Sequence, residues 1–178
     1  MPSIATKNYF ELFGLPVDFD VDPATLSARY RELARRVHPD KFAHGSDQER
    51  RLSMQWTTLV NEAFQTLKDP IRRGRYLLTL SGVELRDETD TTMDPGFLME
   101  QMELREALEE VRGVPEPHKR LVELANDIRQ RLDAKTQHLR ASLADGRSGH
   151  QLAINTIREM QFLDKLLCEV GELEEELG

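Results

Sequence analysis

The stretch at residues 30–42, "YRELARRVHPDKF", contains most of a helix and the point where that helix must stop. Upstream, Asp22 can cap a helix whose first residue is Pro23. Apolar side chains then recur with helical spacing at Leu26, Tyr30, Leu33 and Val37. Pro39 disfavours helical geometry at the residue before it, so we expect this helix to end at His38.

A second helix follows the loop. Ser46 and Glu49 have the spacing of a capping box. The apolar stripe behind them consists of Leu52, Trp56, Leu59, Val60, Ala63 and Leu67. Two helices joined by a nine-residue loop, 38–46, predict an antiparallel hairpin. Short helices in "YFELFG" before it and "PIRRGRYLLTL" after it would cover its open face, and no segment has the alternation of a strand.

The composition describes a soluble globular protein. Of 178 residues, 39% are hydrophobic and 31% are charged, and no stretch approaches the roughly 20 apolar residues of a membrane span. Residues 1–10 lack the pattern of a secretory signal, so we expect a cytoplasmic protein. The net charge of −8 argues against nucleic acid as the main partner. The single cysteine, Cys168, excludes internal disulfides and cysteine-cluster zinc sites, and we expect it to be buried or half-buried.

The charge is unevenly distributed along the chain. Residues 1–76 sum to +2, residues 77–96 to −4 and residues 97–178 to −6. Residues 81–96, "SGVELRDETDTTMDPG", also lose the helical periodicity. We therefore predict two domains, 1–80 and 97–178, joined by a linker at 81–96 and meeting different partners.

The second domain is predicted to be a three-helix bundle, which makes the whole protein all-α. Its helices begin at Asp94–Pro95, after "GVPEP" (113–117) and after "DGRSG" (145–149), and we expect the final "GELEEELG" to fray. The predicted core stripes are Phe97, Leu104, Leu108 and Val111, then Leu121, Ala125, Ile128, Leu132, Leu139 and Leu143, then Leu152, Met160, Leu163, Leu167 and Val170.

The residues of the loop at 38–46 can be explained by the end of the helix alone. His38 is favourable at a helix C-terminus, and Asp40 can bond nearby backbone amides. A metal site built from His38, Asp40 and His44 is disfavoured because one loop supplies all three ligands without supporting partners. A catalytic His–Asp pair is disfavoured because no nucleophile or phosphate-binding loop accompanies it.

The helix that enters this loop is unusually basic. Residues 23–41 carry five basic and two acidic side chains in a chain of net charge −8. One interpretation is an ordinary solvated helix face. The other is a basic strip that docks on an acidic protein surface and presents the loop to it.

The first bundle helix has an apolar patch roughly opposite its core stripe. At about 100° per residue, Leu98, Met99 and Met102 lie between about 100° and 200° from Phe97. An acidic rim follows them, formed by Glu103, Glu106 and Glu110. Phe162, at the border of the core stripe of its own helix, could join this patch. Exposed methionines beside leucine suit an adaptable protein-binding surface. The alternative is that the first domain covers this face, or that the helix is rotated from this position.

Three segments of the chain resemble a known domain. "YFELFGLP", "YRELARRVHPDKF" and "VNEAFQTLKDPIRRGRYL" are similar to the J-domain of DnaJ-type co-chaperones over residues 8–77, and His38-Pro39-Asp40 matches its defining tripeptide. The resemblance implies a basic helix that docks on a heat-shock chaperone ATPase and a tripeptide that triggers ATP hydrolysis there, while the J-protein itself catalyses nothing. The implied contact residues are Tyr30, Arg31, Arg35, Arg36, His38, Pro39, Asp40 and Lys41.

The second domain resembles one particular group of these co-chaperones. "FLMEQMELREALEEV" (97–111) and "REMQFLDKL" (158–166) resemble the C-terminal domain of the HscB family of iron–sulfur assembly co-chaperones. This resemblance implies a bundle that binds an IscU-type scaffold protein and delivers it to an HscA-type chaperone. The implied scaffold-binding residues are Leu98, Met99, Met102, Glu103, Glu106, Glu110 and Phe162.

The resemblance also implies that the protein carries no metal, since neither a cysteine-rich region nor paired N-terminal cysteines are present. We expect no cofactor, no membrane contact and a monomer. Three alternatives stay open: a J-protein serving a general chaperone with other clients, an enzyme that uses His38 and Asp40, and a helical adapter without ATPase coupling.

Overall fold

The structure is a computed structural model that describes residues 8–83 and 94–177. All regular secondary structure in these residues is helical, which confirms the predicted all-α class. The chain divides into two compact units, residues 1–81 and 82–178. Of the predicted linker 81–96, residues 84–93 lie outside the described part, and its last two residues, Pro95 and Gly96, already belong to a helix.

The first unit is a helical hairpin with two flanking helices. Helix α1 spans Tyr9–Leu12, α2 Pro23–Val37, α3 Asp47–Lys68 and α4 Pro70–Leu80. The loop between α2 and α3 contains a short 3₁₀ turn, Pro39–Phe42. Both predicted caps form: the Asp22 carboxylate accepts from the Thr25 amide at 2.8 Å, and Ser46 and Glu49 cap each other's backbone reciprocally. Hydrogen bonds from the Thr25 hydroxyl and amide lower the pKa of Asp22, and hydrogen bonds from the Ser46 amide and hydroxyl lower the pKa of Glu49, because they stabilise the ionised carboxylates.

The hairpin core comes from the predicted stripes. The buried side chains of this cluster are Phe10, Phe13, Leu26, Val37, Trp56, Val60, Ala63 and Leu67. Tyr76 of α4 stacks on Tyr9 with ring centroids 4.4 Å apart, and its hydroxyl accepts from the Tyr9 amide at 2.9 Å. The short helices therefore pack against the hairpin as the sequence predicts, and α4 is tied directly to α1.

The second unit contains three longer helices. Helix α5 spans Pro95–Glu110, α6 Pro117–Ala144 and α7 His150–Leu177. Their main core cluster consists of Leu104, Val111, Leu121, Leu124, Ala125, Ile128, Leu163, Leu166, Val170 and Leu173. Gly149 permits the close turn from α6 into α7, because a Cβ there would lie 1.9 Å from the carbonyl oxygen of Ser142. Among residues 8–83 and 94–177, no helix combines the length and apolar character needed to cross a membrane.

Two expectations about side chains on α7 were wrong. Leu152, predicted in the core, is 58% exposed. Near its start, helix α5 contacts Phe162 of α7 through Phe97. Phe162 lies ten residues, or about 15 Å, beyond Leu152 along α7, so α5 does not cover Leu152. Cys168 is exposed because it lies about 200° around the helix from the buried Leu166.

The acidic C-terminal stretch does not fray within the described residues. Helix α7 continues to Leu177, and Leu173 is buried in the bundle core. Glu176 also forms a 2.6 Å ion pair with Arg112, which follows α5. Apolar contacts therefore extend the helix beyond the point that its acidic composition suggested.

Candidate functional sites

The predicted chaperone-contact residues converge at the end of α2. Six of the eight line one shallow groove of about 560 Å³, together with Ala34: Tyr30, Arg31, Arg35, His38, Asp40 and Lys41. Pro39 begins the 3₁₀ turn beside it. The groove combines the aliphatic stems of cationic side chains with an aromatic ring, so it presents an apolar floor and a basic rim.

Tyr30 forms a fixed wall of this groove. Its ring stacks on Phe64 of α3 with centroids 4.1 Å apart, and its hydroxyl donates to Asn61 Oδ1 at 2.9 Å. The role of Phe64 was missed from the sequence, where it sits beside the predicted α3 stripe without belonging to it. Together these contacts hold α2 against α3 at the level of the groove.

His38 turns the chain out of α2. It has φ −56° and ψ 130°, and its Nδ1 accepts from the Asp40 amide at 3.3 Å, which caps the 3₁₀ turn. The same nitrogen lies 3.5 Å from Asp40 Oδ2, so a protonated imidazole would donate to the carboxylate instead. The His38 side chain is 56% exposed.

The basic residues of α2 divide between two faces. Arg36 pairs with Glu32 at 2.7 Å and does not line this groove, but together with Arg31 and Arg35 it lines a neighbouring shallow depression on α2. Within the described residues, Arg31, Arg35 and Lys41 form no ion pair. The groove cations are therefore available to carboxylates on another molecule.

Within residues 8–83 and 94–177, no group of three or more His, Cys, Asp or Glu side chains is placed to hold a metal ion. The geometry of the groove fits contact with another protein surface.

The predicted patch on α5 faces solvent. Leu98, Met99 and Met102 are 44%, 65% and 72% exposed, whereas Phe97 and Leu104 on the opposite face are buried. The rim residues Glu103, Glu106 and Glu110 are also exposed. This arrangement differs from an ordinary amphipathic helix, because apolar side chains occupy both of its faces.

Phe162 of α7 lies beside this patch. It is half-buried and packs against the bundle core, and its ring meets that of Phe97 edge-to-face, with centroids 5.8 Å apart and planes at 89°. Because Phe97 directly precedes Leu98, this contact brings Phe162 next to the start of the patch.

Sequence reasoning missed Arg105 at this site. Its guanidinium carbon lies 5.4 Å from the Phe162 ring centroid, and it pairs with Glu169 at 3.6 Å. The available signal was its position on α5, three residues after Met102 and seven residues after Leu98 of the apolar patch.

Each of the two units matches a known protein family. A DnaJ domain model matches residues 8–76, and a model described as the HSCB C-terminal oligomerisation domain matches residues 93–171. Co-chaperone protein HscB homologs from Shewanella amazonensis and Shewanella baltica are each 47% identical, over 96% of this chain and 98% of their own.

Solved structures give the same result. Chaperone HscB from Vibrio cholerae aligns with a TM-score of 0.87 and 42% identity, over 97% of this chain and 100% of its own. The crystal structure of human co-chaperone protein HscB aligns with a TM-score of 0.87 and 32% identity, over 96% of this chain and 83% of its own.

A J-domain with the His-Pro-Asp tripeptide at the tip of its hairpin defines the class of J-domain co-chaperones. The second unit specifies the group within that class: this chain belongs to the HscB family of co-chaperones. The relatives are named as co-chaperones rather than as enzymes.

Proposed function

We propose that this protein stimulates ATP hydrolysis by a specialised heat-shock chaperone of the HscA type and delivers an IscU-type iron–sulfur scaffold protein to it. It would thereby assist the maturation of iron–sulfur proteins in the cytoplasm. The observation that carries the proposal is the presence, on one chain, of a basic tripeptide groove in the first unit and an exposed apolar patch in the second.

The first unit would supply the chaperone contact. Arg31, Arg35 and Lys41 surround the groove without ion-pair partners in residues 8–83 and 94–177, which suits an acidic surface. His38 and Asp40 stand at the open end of the same groove. We expect Arg36 to contribute less than these residues, because Glu32 already pairs with it. Since the cations are solvent-exposed, this contact should weaken as salt is added.

The second unit would supply the scaffold contact. Leu98, Met99, Met102 and Phe162 offer apolar contact area, and the carboxylates of Glu103, Glu106 and Glu110 surround it. Such a surface suits a partner that presents apolar side chains flanked by basic ones. A few central residues would then carry most of the binding free energy.

The mechanism would be that of an adapter. The chain itself performs no chemistry; hydrolysis occurs on the chaperone. Holding scaffold and chaperone on one polypeptide raises the effective concentration of the scaffold at its binding site. We further propose that one copy of the chain suffices, which sedimentation of the free protein and of its complex with scaffold would test.

The central experiment measures ATPase stimulation of an HscA-type chaperone with and without an IscU-type scaffold. We expect the chain alone to stimulate hydrolysis and chain plus scaffold to stimulate it further at low chain concentration. An absence of stimulation in both arms would contradict the chaperone contact. Equal stimulation in both arms would contradict scaffold delivery.

The alternative is a co-chaperone of a general heat-shock chaperone with other clients. Affinity capture with the full chain, followed by mass spectrometry, would separate the two, because the proposal requires HscA-type and IscU-type proteins among the captured partners. Capture of a general chaperone without either would favour the alternative.

A further inference from the structure

A pair of aromatic rings in the second unit lies between two cations. Phe97 and Phe162 meet edge-to-face, with centroids 5.8 Å apart. Lys135 Nζ lies 5.5 Å from the Phe97 centroid, and the Arg105 guanidinium carbon lies 5.4 Å from the Phe162 centroid. Both distances are within the range, about 6 Å, in which a cation is attracted to an aromatic ring.

A glutamate of α7 holds each cation, but the two ends differ in exposure. Lys135 pairs with Glu159 at 2.6 Å, and their side chains are only 22% and 17% exposed. Arg105 pairs with Glu169 at 3.6 Å, with 50% and 30% exposed. The ion pair beside Phe97 is therefore largely buried, whereas the ion pair beside Phe162 lies at the surface that a partner would contact.

Arg105 also continues the exposed stripe of α5. At about 100° per residue, Leu98, Met102 and Arg105 lie within about 60° of one another. Leu98 and Met102 belong to the proposed scaffold-binding patch, and Phe162 completes it from α7. Arg105 thus lies between the α5 part and the α7 part of that surface.

We propose that Arg105, held by Glu169, is a positioning residue of the scaffold-binding surface that fixes the Phe162 ring in its binding orientation. This role rests on the proposed scaffold contact. Phe97 already restrains Phe162 at one side, and the guanidinium restrains it at another. A ring ordered before binding loses less conformational freedom when the partner arrives, so the complex is tighter.

The pairing with Glu169 also limits the repulsion between Arg105 and a basic partner. Glu103 and Glu106 flank Arg105 in the sequence and are exposed. An unpaired guanidinium there would repel a basic partner, but Glu169 neutralises its charge. The rim keeps its negative sign while Arg105 contacts the Phe162 ring.

A double-mutant cycle tests this role with purified IscU-type scaffold protein as the probe. By calorimetry, Arg105→Ala should weaken binding roughly two- to fivefold, and Phe162→Ala at least about tenfold. The double variant should bind like Phe162→Ala alone, because Arg105 acts through that ring. Additive losses would overturn the positioning role and mean that Arg105 contacts the scaffold independently.

Two further variants separate the ring contact from general charge effects. Arg105→Lys keeps the cation and should bind more tightly than Arg105→Ala. Arg112→Ala removes an exposed arginine of the same unit that pairs with Glu176 at 2.6 Å, and its affinity should equal that of the unchanged protein. If Arg112→Ala weakens binding as much as Arg105→Ala, the effect is one of net charge and the proposal is overturned.

The free protein provides a readout without scaffold. The aromatic NMR signals of Phe162 should shift in Arg105→Ala and stay in place in the control Arg112→Ala. Unshifted ring signals would overturn the role directly. If Phe162→Ala binds scaffold normally, the proposed scaffold contact itself fails and this role fails with it; if only Arg105→Ala binds normally, the contact stands and the positioning role alone fails.

Discussion

The Ser53 hydroxyl donates a 2.6 Å hydrogen bond to the carbonyl of Val37, the last residue of α2. Ser53 is completely buried in α3, sixteen residues away in the sequence. The final carbonyls of a helix lack partners within that helix, so a neighbouring hydroxyl can satisfy one of them. Because His38 follows Val37 directly, this bond fixes the point from which the His-Pro-Asp tripeptide projects.

We expect Ser53→Ala to destabilise the protein by about 1–2 kcal/mol, because a buried carbonyl loses its hydrogen bond. The Thr57 hydroxyl also approaches Val37 at 3.3 Å, but it has a shorter bond to the Ser53 carbonyl at 2.9 Å and cannot donate to both. Chemical denaturation measures the loss. Thr58→Ala, which removes an exposed hydroxyl bond within α3, is the control and should change stability by less than about 0.5 kcal/mol.

His38→Gln should abolish ATPase stimulation while the protein stays folded and still binds scaffold. The His38 side chain is 56% exposed, so the substitution loses little packing, but it removes the imidazole from the tripeptide. Stimulated ATP turnover, circular dichroism and scaffold affinity check the three parts of this prediction. Normal stimulation by the folded variant would contradict the role of the tripeptide.

The combined change Leu98→Ala and Phe162→Ala should weaken scaffold binding at least about tenfold without lowering helicity. Calorimetry measures the affinity and circular dichroism the helicity. Leu152→Ala is a matched control, since Leu152 is 58% exposed on the same unit but lies outside the patch. Equal affinities for the double variant and the control would show that the scaffold binds elsewhere.

Hydrogen peroxide should oxidise Met99 and Met102 well before Met160, because these side chains are 65%, 72% and 1% exposed. Each sulfoxide introduces a polar group into the apolar contact, so scaffold affinity should fall by about tenfold or more. Peptide mass spectrometry locates the oxidation and calorimetry measures the loss.

The oxidation experiment has an internal control. Met54 is 63% exposed on α3 of the first unit and should oxidise at a similar rate without affecting scaffold binding. A variant with Met99→Leu and Met102→Leu should keep its affinity after peroxide treatment. Loss of binding in that variant would assign the effect to another residue.

Stability should fall in acid partly through the helix caps. Hydrogen bonds lower the pKa values of Asp22 and Glu49 in the folded state from ordinary values of 3.8 and 4.5. A carboxylate with a depressed folded pKa stabilises the protein above its unfolded pKa, and the stabilisation disappears as the pH falls through the folded pKa. Glu49→Gln should therefore have a lower thermal midpoint than the unchanged protein at pH 7, and the difference should shrink as the pH falls below 4.5, the ordinary pKa of a glutamate. A difference independent of pH would contradict this assignment.

The sequence predicted the helices well because local rules govern them. Pro23, Pro70 and Pro95 start three of them as predicted, Pro117 starts a fourth one residue earlier than predicted, and the caps at Asp22 and Ser46 form as expected. The apolar stripe of α3 was also readable, since burial repeats with the helical period. Each of these signals depends on residues within a turn or two of one another.

Contacts between helices could not be read in this way. Leu152 shares the angular position of buried residues yet is exposed, because burial also requires a neighbouring helix at the same height. The predicted fraying of 171–178 was wrong for the described residues 171–177 for a related reason: Leu173 is buried in the core despite its acidic neighbours. Whether such a side chain is buried depends on its position along the helix axis and on which distant helix packs beside it.

The sequence by itself determined the helical class, the cap positions, the tripeptide at a helix end and the spare apolar face of α5, since these depend on short-range stereochemistry and periodicity. Only the tertiary structure decided that Ser53 holds the end of α2, that Phe64 supports Tyr30 and that Arg105 meets Phe162. Each of these three contacts joins residues more than 15 positions apart, and its geometry depends on how two helices are rotated and shifted against each other.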